Sequence, residues 1–181
     1  MEEAIYKDLE AVLTPEEINA RVAEMSAEIC RDLGDNVPVV VGILKGAFIF
    51  MSDLIREMNI HVEVDFAQIS SYGDGTSSSG RIKVLQDITT PVDGRDVIVV
   101  EDIIDTGATL AYIQNMLKLR APMSLEVCTL LKKDAPLTQE VTIKYVGKEI
   151  PDVFVVGYGL DYKEKFRYFP YITELVAESD M

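Results

Sequence analysis

A short apolar run that ends in acidic residues constrains the fold of this chain more than any other feature. Residues 97–100 are four β-branched side chains in a row, too stiff for a good helix and typical of a strand that is covered on both faces. Acidic residues follow at once, and then small residues lead into a helical pattern of Leu110, Ile113 and Leu117. The segment therefore predicts a strand, a short loop and a helix N-terminus.

The loop between this strand and helix consists of Thr106, Gly107, Ala108 and Thr109. Such a loop presents unpaired backbone N–H groups, two hydroxyls and the positive end of a helix dipole, which together suit a phosphate. Glycine at position 107 allows the backbone to approach a ligand closely. The loop is therefore a candidate phosphate site.

Glu101, Asp102 and Asp105 precede this loop and do not suit a phosphate. A carboxylate about 4 Å from a phosphate oxygen would be repelled by roughly 4 kcal/mol at an effective dielectric constant near 20. The acids should instead face sugar hydroxyls, a divalent cation or a proton to be accepted, and a phosphorylated ribose with Mg2+ offers the first two. The plainer alternative is an ordinary strand end at which Asp105 caps the helix.

Length and charge limit the class of protein. A chain of 181 residues with 48% hydrophobic residues predicts a single globular domain. The formal net charge of -14 argues against nucleic acid and anionic membranes as partners, since both are bound through Lys and Arg. No window is apolar enough to span a membrane, and the acidic start is unlike a signal peptide, so we expect a cytoplasmic protein.

Residues 99–109 resemble the signature of the type I phosphoribosyltransferases, which bind 5-phosphoribosyl-1-pyrophosphate (PRPP). The similarity extends from about residue 13 to about residue 175, and other segments narrow it to the hypoxanthine-guanine branch. The resemblance implies an α/β fold with a mostly parallel central sheet flanked by helices. It also implies one domain over residues 1–181, a mobile lid at about 70–81 and a small hood over the base site at about 145–181.

In the resemblance, the three acids and the loop form the PRPP site. Glu101 and Asp102 would hold the ribose hydroxyls, and Thr106, Gly107, Ala108 and Thr109 would bind the 5-phosphate. Asp105 would accept or orient the proton at purine N7 as a general base, with burial in the pocket raising its proton affinity. Ala108 departs from the many relatives that carry lysine there, which removes a cation but no backbone donor.

The segment Leu44, Lys45 and Gly46 follows a predicted buried strand and resembles the pyrophosphate loop of the family. In the family that it resembles, the peptide bond before the lysine is often cis, and here that would be the bond between Leu44 and Lys45. The resemblance also places Arg167 against pyrophosphate and assigns Asp161 as a ligand of Mg2+, with Glu101 and Asp102 as possible contributors through ribose or water. The alternative for Lys45 is a solvated lysine in a tight turn.

Residues 70–80 contain three glycines and five serines, a composition typical of a mobile segment. The resemblance identifies this segment as the lid, with Ser71 and Tyr72 folding over PRPP. The flanking residues predict the two strands of a hairpin, and the alternative is a passive hairpin loop.

Three residues are candidates for binding the base. By the resemblance, Lys133 would bond the purine 6-oxo group, Phe154 would stack on the ring, and the backbone of Val155 would meet the base edge. The alternatives are a solvated lysine at a strand end and core positions for Phe154 and Tyr158.

The resemblance implies a Mg2+-dependent enzyme of purine salvage. It would transfer the phosphoribosyl group from PRPP to N9 of hypoxanthine or guanine, giving IMP or GMP and pyrophosphate, as a homodimer or homotetramer. One alternative is a regulatory protein of the same fold that senses PRPP, which should show a basic face or an added nucleic-acid module. Another is a transferase that prefers xanthine or a pyrimidine.

Overall fold

Strands and helices alternate along the chain. The computed structural model describes residues 11–72 and 81–175. In chain order the elements are β1 (Ala11–Leu13), α1 (Pro15–Leu33), β2 (Val39–Leu44), α2 (Phe48–Met58), β3 (Glu63–Tyr72), β4 (Arg81–Gln86), β5 (Asp96–Ile104), α3 (Ala108–Lys118), β6 (Ser124–Lys133), β7 (Tyr145–Ile150), β8 (Val155–Val156) and β9 (Ile172–Glu174).

The central sheet has six strands in the order β4-β3-β2-β5-β6-β7. All neighbours are parallel except β3 and β4, which are antiparallel, so the predicted mostly parallel α/β fold is confirmed. Because parallel strands end at the same edge of a sheet, the segments that follow β2, β5 and β6 meet there. This edge brings together Lys45, Asp105 and Lys133.

The central strand β5 is buried on both faces, as its β-branched run predicted. Successive side chains of a strand point to opposite faces. Val97 and Val99 pack in the core beside α3, whereas Ile98 and Val100 pack in the core beside α1 and α2.

Capping residues fix where two helices begin. Thr14 and Glu17 form a capping box at the start of α1, with N–H to oxygen distances of 2.8 and 3.2 Å. The N-cap of α3 is Gly107, which has a left-handed φ of 78° and no side-chain capping bond. The alternative in which Asp105 caps this helix is therefore wrong.

A second, antiparallel sheet has the strand order β1-β9-β8. It contains the C-terminal strands predicted for the hood, but the predicted start near residue 145 is not where it begins. Tyr145–Ile150 is β7 and pairs with β6 at the edge of the central sheet. The small sheet instead includes β1 from the N-terminal side, which pairs with β9.

The predicted hairpin is present as β3 and β4, which pair from Gln68 with Gln86 to Tyr72 with Arg81. Both strands belong to the edge of the central sheet. The interior of the predicted lid, residues 73–80, lies outside the described residues. None of the described helices has the length and apolar character needed to cross a membrane.

Candidate active site

Two cavities lie at the edge of the sheet where β2, β5 and β6 end. The larger has a volume of about 390 Å3 and the smaller about 90 Å3, and Ile103 and Asp105 line both. The larger is lined by most residues predicted for pyrophosphate, metal and base: Leu44, Lys45, Gly46, Asp102, Lys133, Phe154, Val155, Asp161 and Arg167. The smaller is lined by those predicted for ribose and phosphate: Glu101, Thr106, Gly107, Ala108 and Thr109.

The smaller cavity is a cradle of backbone at the N-terminus of α3. Thr138, from the segment after β6, holds this loop by donating both its N–H and its hydroxyl to the Thr106 carbonyl oxygen, each at 3.0 Å. In a trans peptide the carbonyl and the following N–H point in opposite directions, so this anchor fixes the direction of the Gly107 N–H. Leu137 and Val141 pack beside Gly107, where a Cβ would contact them.

Glu101 and Asp102 are half-buried acids in the walls of the cavities. Glu101 Oε2 is a buried oxygen without a hydrogen-bond partner in the described part of the chain. Burial, and secondarily the charge of Asp102, raise the pKa of Glu101 well above its usual range. Burial also raises the pKa of Asp102 to about 6, although the hydrogen bond that its carboxylate accepts from the Ile103 N–H at 2.9 Å acts to lower it. Glu101 Oε2 therefore lacks a donor that would satisfy it, whereas the Asp102 carboxylate has a backbone donor.

Asp105 and Lys133 face each other across the junction of the cavities. The Lys133 Nζ lies 2.9 Å from Asp152 Oδ1 and 3.5 Å from Asp105 Oδ2. Burial would lower the pKa of Lys133, but the hydrogen bond to Asp152 and the charge of Asp105 outweigh it, and the pKa is raised. The Asp105 side chain is 56% exposed, so the predicted burial of this carboxyl does not occur.

The predicted pyrophosphate loop packs tightly against its neighbours. The peptide bond between Leu44 and Lys45 is cis, as the resemblance implied. A Cβ at Gly46 would collide with the carboxylate of Asp102, and a Cβ at Gly159 would collide with the carbonyl oxygen of Gly46. The two glycines thus allow three segments of the chain to meet at this point.

Four charged side chains form a network at the outer end of the larger cavity. Arg167 pairs with Asp161 at 2.7 Å and with Glu164 at 3.3 Å, and Lys45 pairs with the other oxygen of Glu164 at 2.9 Å. Asp161 Oδ2 also accepts the Glu164 N–H at 2.7 Å. Each predicted pyrophosphate cation therefore has a carboxylate partner, and Glu164 is shared between them.

An aromatic ring and a strand form the opposite wall. Phe154 is 49% exposed and meets Tyr162 edge to face, with ring centroids 5.7 Å apart. Val155 is buried in β8, which β9 holds in place. Tyr158 is a core residue whose hydroxyl donates to Asp53 at 2.6 Å, so the core alternative is correct for Tyr158 and wrong for Phe154.

Comparison with known proteins places these features in a family. The model of the phosphoribosyl transferase domain matches residues 8–163. The chain is 45% identical to a hypoxanthine-guanine phosphoribosyltransferase of Bacillus subtilis, covering 91% of this chain and 92% of the relative. It is 46% identical to a hypoxanthine phosphoribosyltransferase of Escherichia coli, covering 91% and 94%. A crystal structure of a hypoxanthine phosphoribosyltransferase from Staphylococcus aureus superposes with a TM-score of 0.91 at 43% identity, covering 99% and 98%.

The chain belongs to the hypoxanthine-guanine phosphoribosyltransferase family. It is therefore a pentosyltransferase, and the family fold predicted from the signature is the fold observed.

Within this phosphoribosyltransferase site, the sequence reasoning missed three residues. Thr138 gave no signal, because it lies in an irregular segment and contacts Thr106, 32 positions away. Asp152 and Glu164 could have been found, since each is an acidic residue close in sequence to predicted site residues. For Ser71 and Tyr72 the structure describes the backbone, as part of β3, and not the side chains.

The donor set suits a magnesium ion that shares its ligands with a substrate. No group of three or more His, Cys, Asp or Glu side chains within residues 11–72 and 81–175 could hold a metal alone. Asp161 and Asp102 both present carboxylates to the larger cavity. Mg2+ in proteins is commonly bound by one or two carboxylates together with substrate phosphates and waters. The residues present therefore fit this ion.

Proposed function

We propose that this protein catalyses purine salvage, transferring the 5-phosphoribosyl group from PRPP to N9 of hypoxanthine or guanine to give IMP or GMP and pyrophosphate. The observation that carries the proposal is the position of Asp105, between an amide-lined cradle on one side and a cavity with Lys45, Arg167 and Phe154 on the other. A phosphorylated sugar, a pyrophosphate and a planar base can each occupy one part of this arrangement.

The reaction separates charge, because the anomeric carbon becomes oxocarbenium-like as pyrophosphate leaves. Only interactions that strengthen with this separation accelerate the step. Lys45 and Arg167 would bind the leaving pyrophosphate, and the carboxyl groups of Glu101 and Asp102 would hydrogen-bond the ribose hydroxyls. Bound Mg2+, with Asp161 as protein ligand, would supply charge neutralisation at the leaving group.

The base would be held by residues on two elements. Lys133, at the end of β6, would donate to the purine 6-oxo oxygen, while Phe154 would stack on the ring and Val155 would meet its edge. Asp105 would take the proton at N7 as N9 attacks the sugar. Closure of the lid, with Ser71 and Tyr72, would exclude water, which otherwise would hydrolyse the sugar at the reacting carbon.

Initial rates with hypoxanthine, guanine, xanthine and uracil, each with PRPP and Mg2+, test the proposal. We expect turnover of hypoxanthine or guanine, in a cytoplasmic enzyme that sediments as a dimer or tetramer. If the protein turned over only xanthine or only uracil, hypoxanthine and guanine would be the wrong substrates. Tight binding of PRPP without turnover of any base would instead favour a sensor of PRPP.

A further inference from the structure

Glu164 occupies an unusual position for an anion in a site that binds pyrophosphate. Its two carboxylate oxygens contact Lys45 Nζ at 2.9 Å and Arg167 Nη2 at 3.3 Å. The carboxylate thus shares one negative charge between the two cations that the pyrophosphate needs, and Asp161 supplies a second at Arg167.

The backbone that carries Glu164 is strained. Lys163 and Glu164 have left-handed φ values of 52° and 64°, and Tyr162 and Lys165 exchange two backbone hydrogen bonds of 3.2 and 3.0 Å around them. A two-residue turn of this kind favours Asn-Gly, because left-handed φ values strain other residues. Strain of this kind commonly marks functional positions. Here Lys163 and Glu164 occupy the two turn positions instead of Asn-Gly. The turn places the Glu164 carboxylate between Lys45 and Arg167.

The contacts of Glu164 can be exchanged for those of a ligand. The side chains of Lys45 and Glu164 are 54% and 65% exposed, so water screens their pairing, and the carboxylate can swing out into solvent. A pyrophosphate that enters the larger cavity carries more negative charge than the carboxylate and can replace it at both cations.

We propose that Glu164 is a resident counter-anion that competes with pyrophosphate for Lys45 and Arg167. It keeps the two cations paired and in place when the site is empty, and it weakens the hold on pyrophosphate so that this product leaves. The inference rests on the proposed function, and it assigns Glu164 as a positioning residue that tunes affinity rather than as a catalytic residue.

Titration calorimetry of pyrophosphate with Mg2+ tests this inference on the full-length protein. Glu164→Gln keeps the shape of the side chain and removes its charge, while Glu164→Gly also relieves the strained turn. We expect both variants to bind pyrophosphate about 2- to 10-fold more tightly than wild type at low salt, in line with the modest worth of exposed ion pairs. The KM for PRPP should fall, and the KM for the uncharged base should not change.

Glu57→Gln is the matched control, because it removes the same charge from an exposed position near the far end of α2, about 13 Å along the helix from Phe48. It should leave pyrophosphate affinity unchanged. Unchanged or weaker binding in either Glu164 variant would overturn the inference, since a residue that only holds the cations in place would weaken binding when removed. Failure of the wild type to turn over any purine would instead overturn the proposed function.

Discussion

The carboxylate of Asp105 is open to the cavity on one side and faces an ammonium group on the other. Its distance of 3.5 Å from Lys133 is too long for a strong bond, and Lys133 is held more closely by Asp152 at 2.9 Å. Asp105 therefore stays available to a substrate proton, while Asp152 neutralises the lysine. This division between two acids suits Asp105 to the proposed role of base.

Replacing Asp105 by Asn tests its role as the base. The amide keeps the size of the side chain but cannot accept the N7 proton, so kcat should fall by about 100-fold or more, while the dissociation constant for PRPP stays within about threefold. Steady-state kinetics and direct binding measure the two effects. Asp152→Asn, which removes the other carboxylate at Lys133, should act mainly on the KM for the base. Turnover by Asp105→Asn within a few-fold of wild type would disprove the assignment.

The half-buried acid Asp102 makes the ligand-free protein less stable as pH rises. Its pKa is about 6 when folded and 3.8 ordinarily, so over this interval the folded state binds more protons than the unfolded state. Stability from this group is therefore greatest at low pH and is lost as the pH rises through about 6. The unpartnered Glu101 Oε2 next to it acts in the same direction.

Asp102→Asn should remove this loss. At pH 7.5 we expect the Tm of Asp102→Asn to exceed that of wild type by about 2 to 8 °C, and this difference should shrink towards pH 4. The range corresponds to a gain of about 1 to 3 kcal/mol in the free energy of unfolding for a domain of this size. Calorimetry across this pH range measures the effect. The exposed Asp93→Asn should follow the wild-type curve, and a difference for Asp102→Asn that does not vary with pH would contradict the explanation.

Among the elements, the loop at the start of α3 depends on a segment far from it in sequence. Thr138 fixes the carbonyl of Thr106 with two hydrogen bonds, and Gln114 of α3 bonds the same segment at Thr142. The cradle is therefore set between the end of β5, the start of α3 and the residues after β6, rather than by local sequence alone.

Thr138→Val should weaken binding of a nucleoside monophosphate about 2- to 10-fold, because one hydrogen bond to the loop is lost. The kcat at saturating substrate should stay near that of wild type. Calorimetry with IMP and steady-state kinetics check these values. Thr142→Val is the control, because Thr142 bonds Gln114 through its main-chain N–H and carbonyl. Equal losses in the two variants would show that the segment, and not the Thr138 hydroxyl, is responsible.

The sequence predicted the elements that carry strong local signals. The β-branched run of β5 and the family signature each specify structure within a short stretch, and each was confirmed. Strand β1 has three residues and is a strand because it pairs with β9, so no periodicity in the sequence could reveal it. Thr138 escaped detection for the same reason, since its role is defined by a distant partner.

For the whole molecule, a net charge of -14 opposes the approach of a polyanion such as PRPP. The cations of the site, including Lys45 and Arg167, are already paired with carboxylates when the site is empty. The long-range field is therefore repulsive, and it reaches about 30 Å at 10 mM salt but only about 8 Å at 150 mM.

The kcat/KM for PRPP should accordingly rise about 2- to 5-fold as a non-competing salt such as potassium acetate increases from about 10 to about 150 mM at fixed free Mg2+. Initial rates at low PRPP measure this, and the KM for uncharged hypoxanthine provides the internal comparison. A decline over the same interval would mean that local attraction at the site, rather than the field of the whole protein, governs capture of PRPP.

The small sheet joins strands from opposite ends of the described chain, with β1 and β8 on either side of β9. On the ribosome, β1 is made first and has no partner until β9 has emerged, after every strand of the central sheet. The wall that carries Phe154 and Val155 is thus completed last. Under the proposed function, a nascent chain can form its phosphate cradle once the segment with Thr138 has emerged, but it becomes able to hold a purine only when synthesis has passed residue 174.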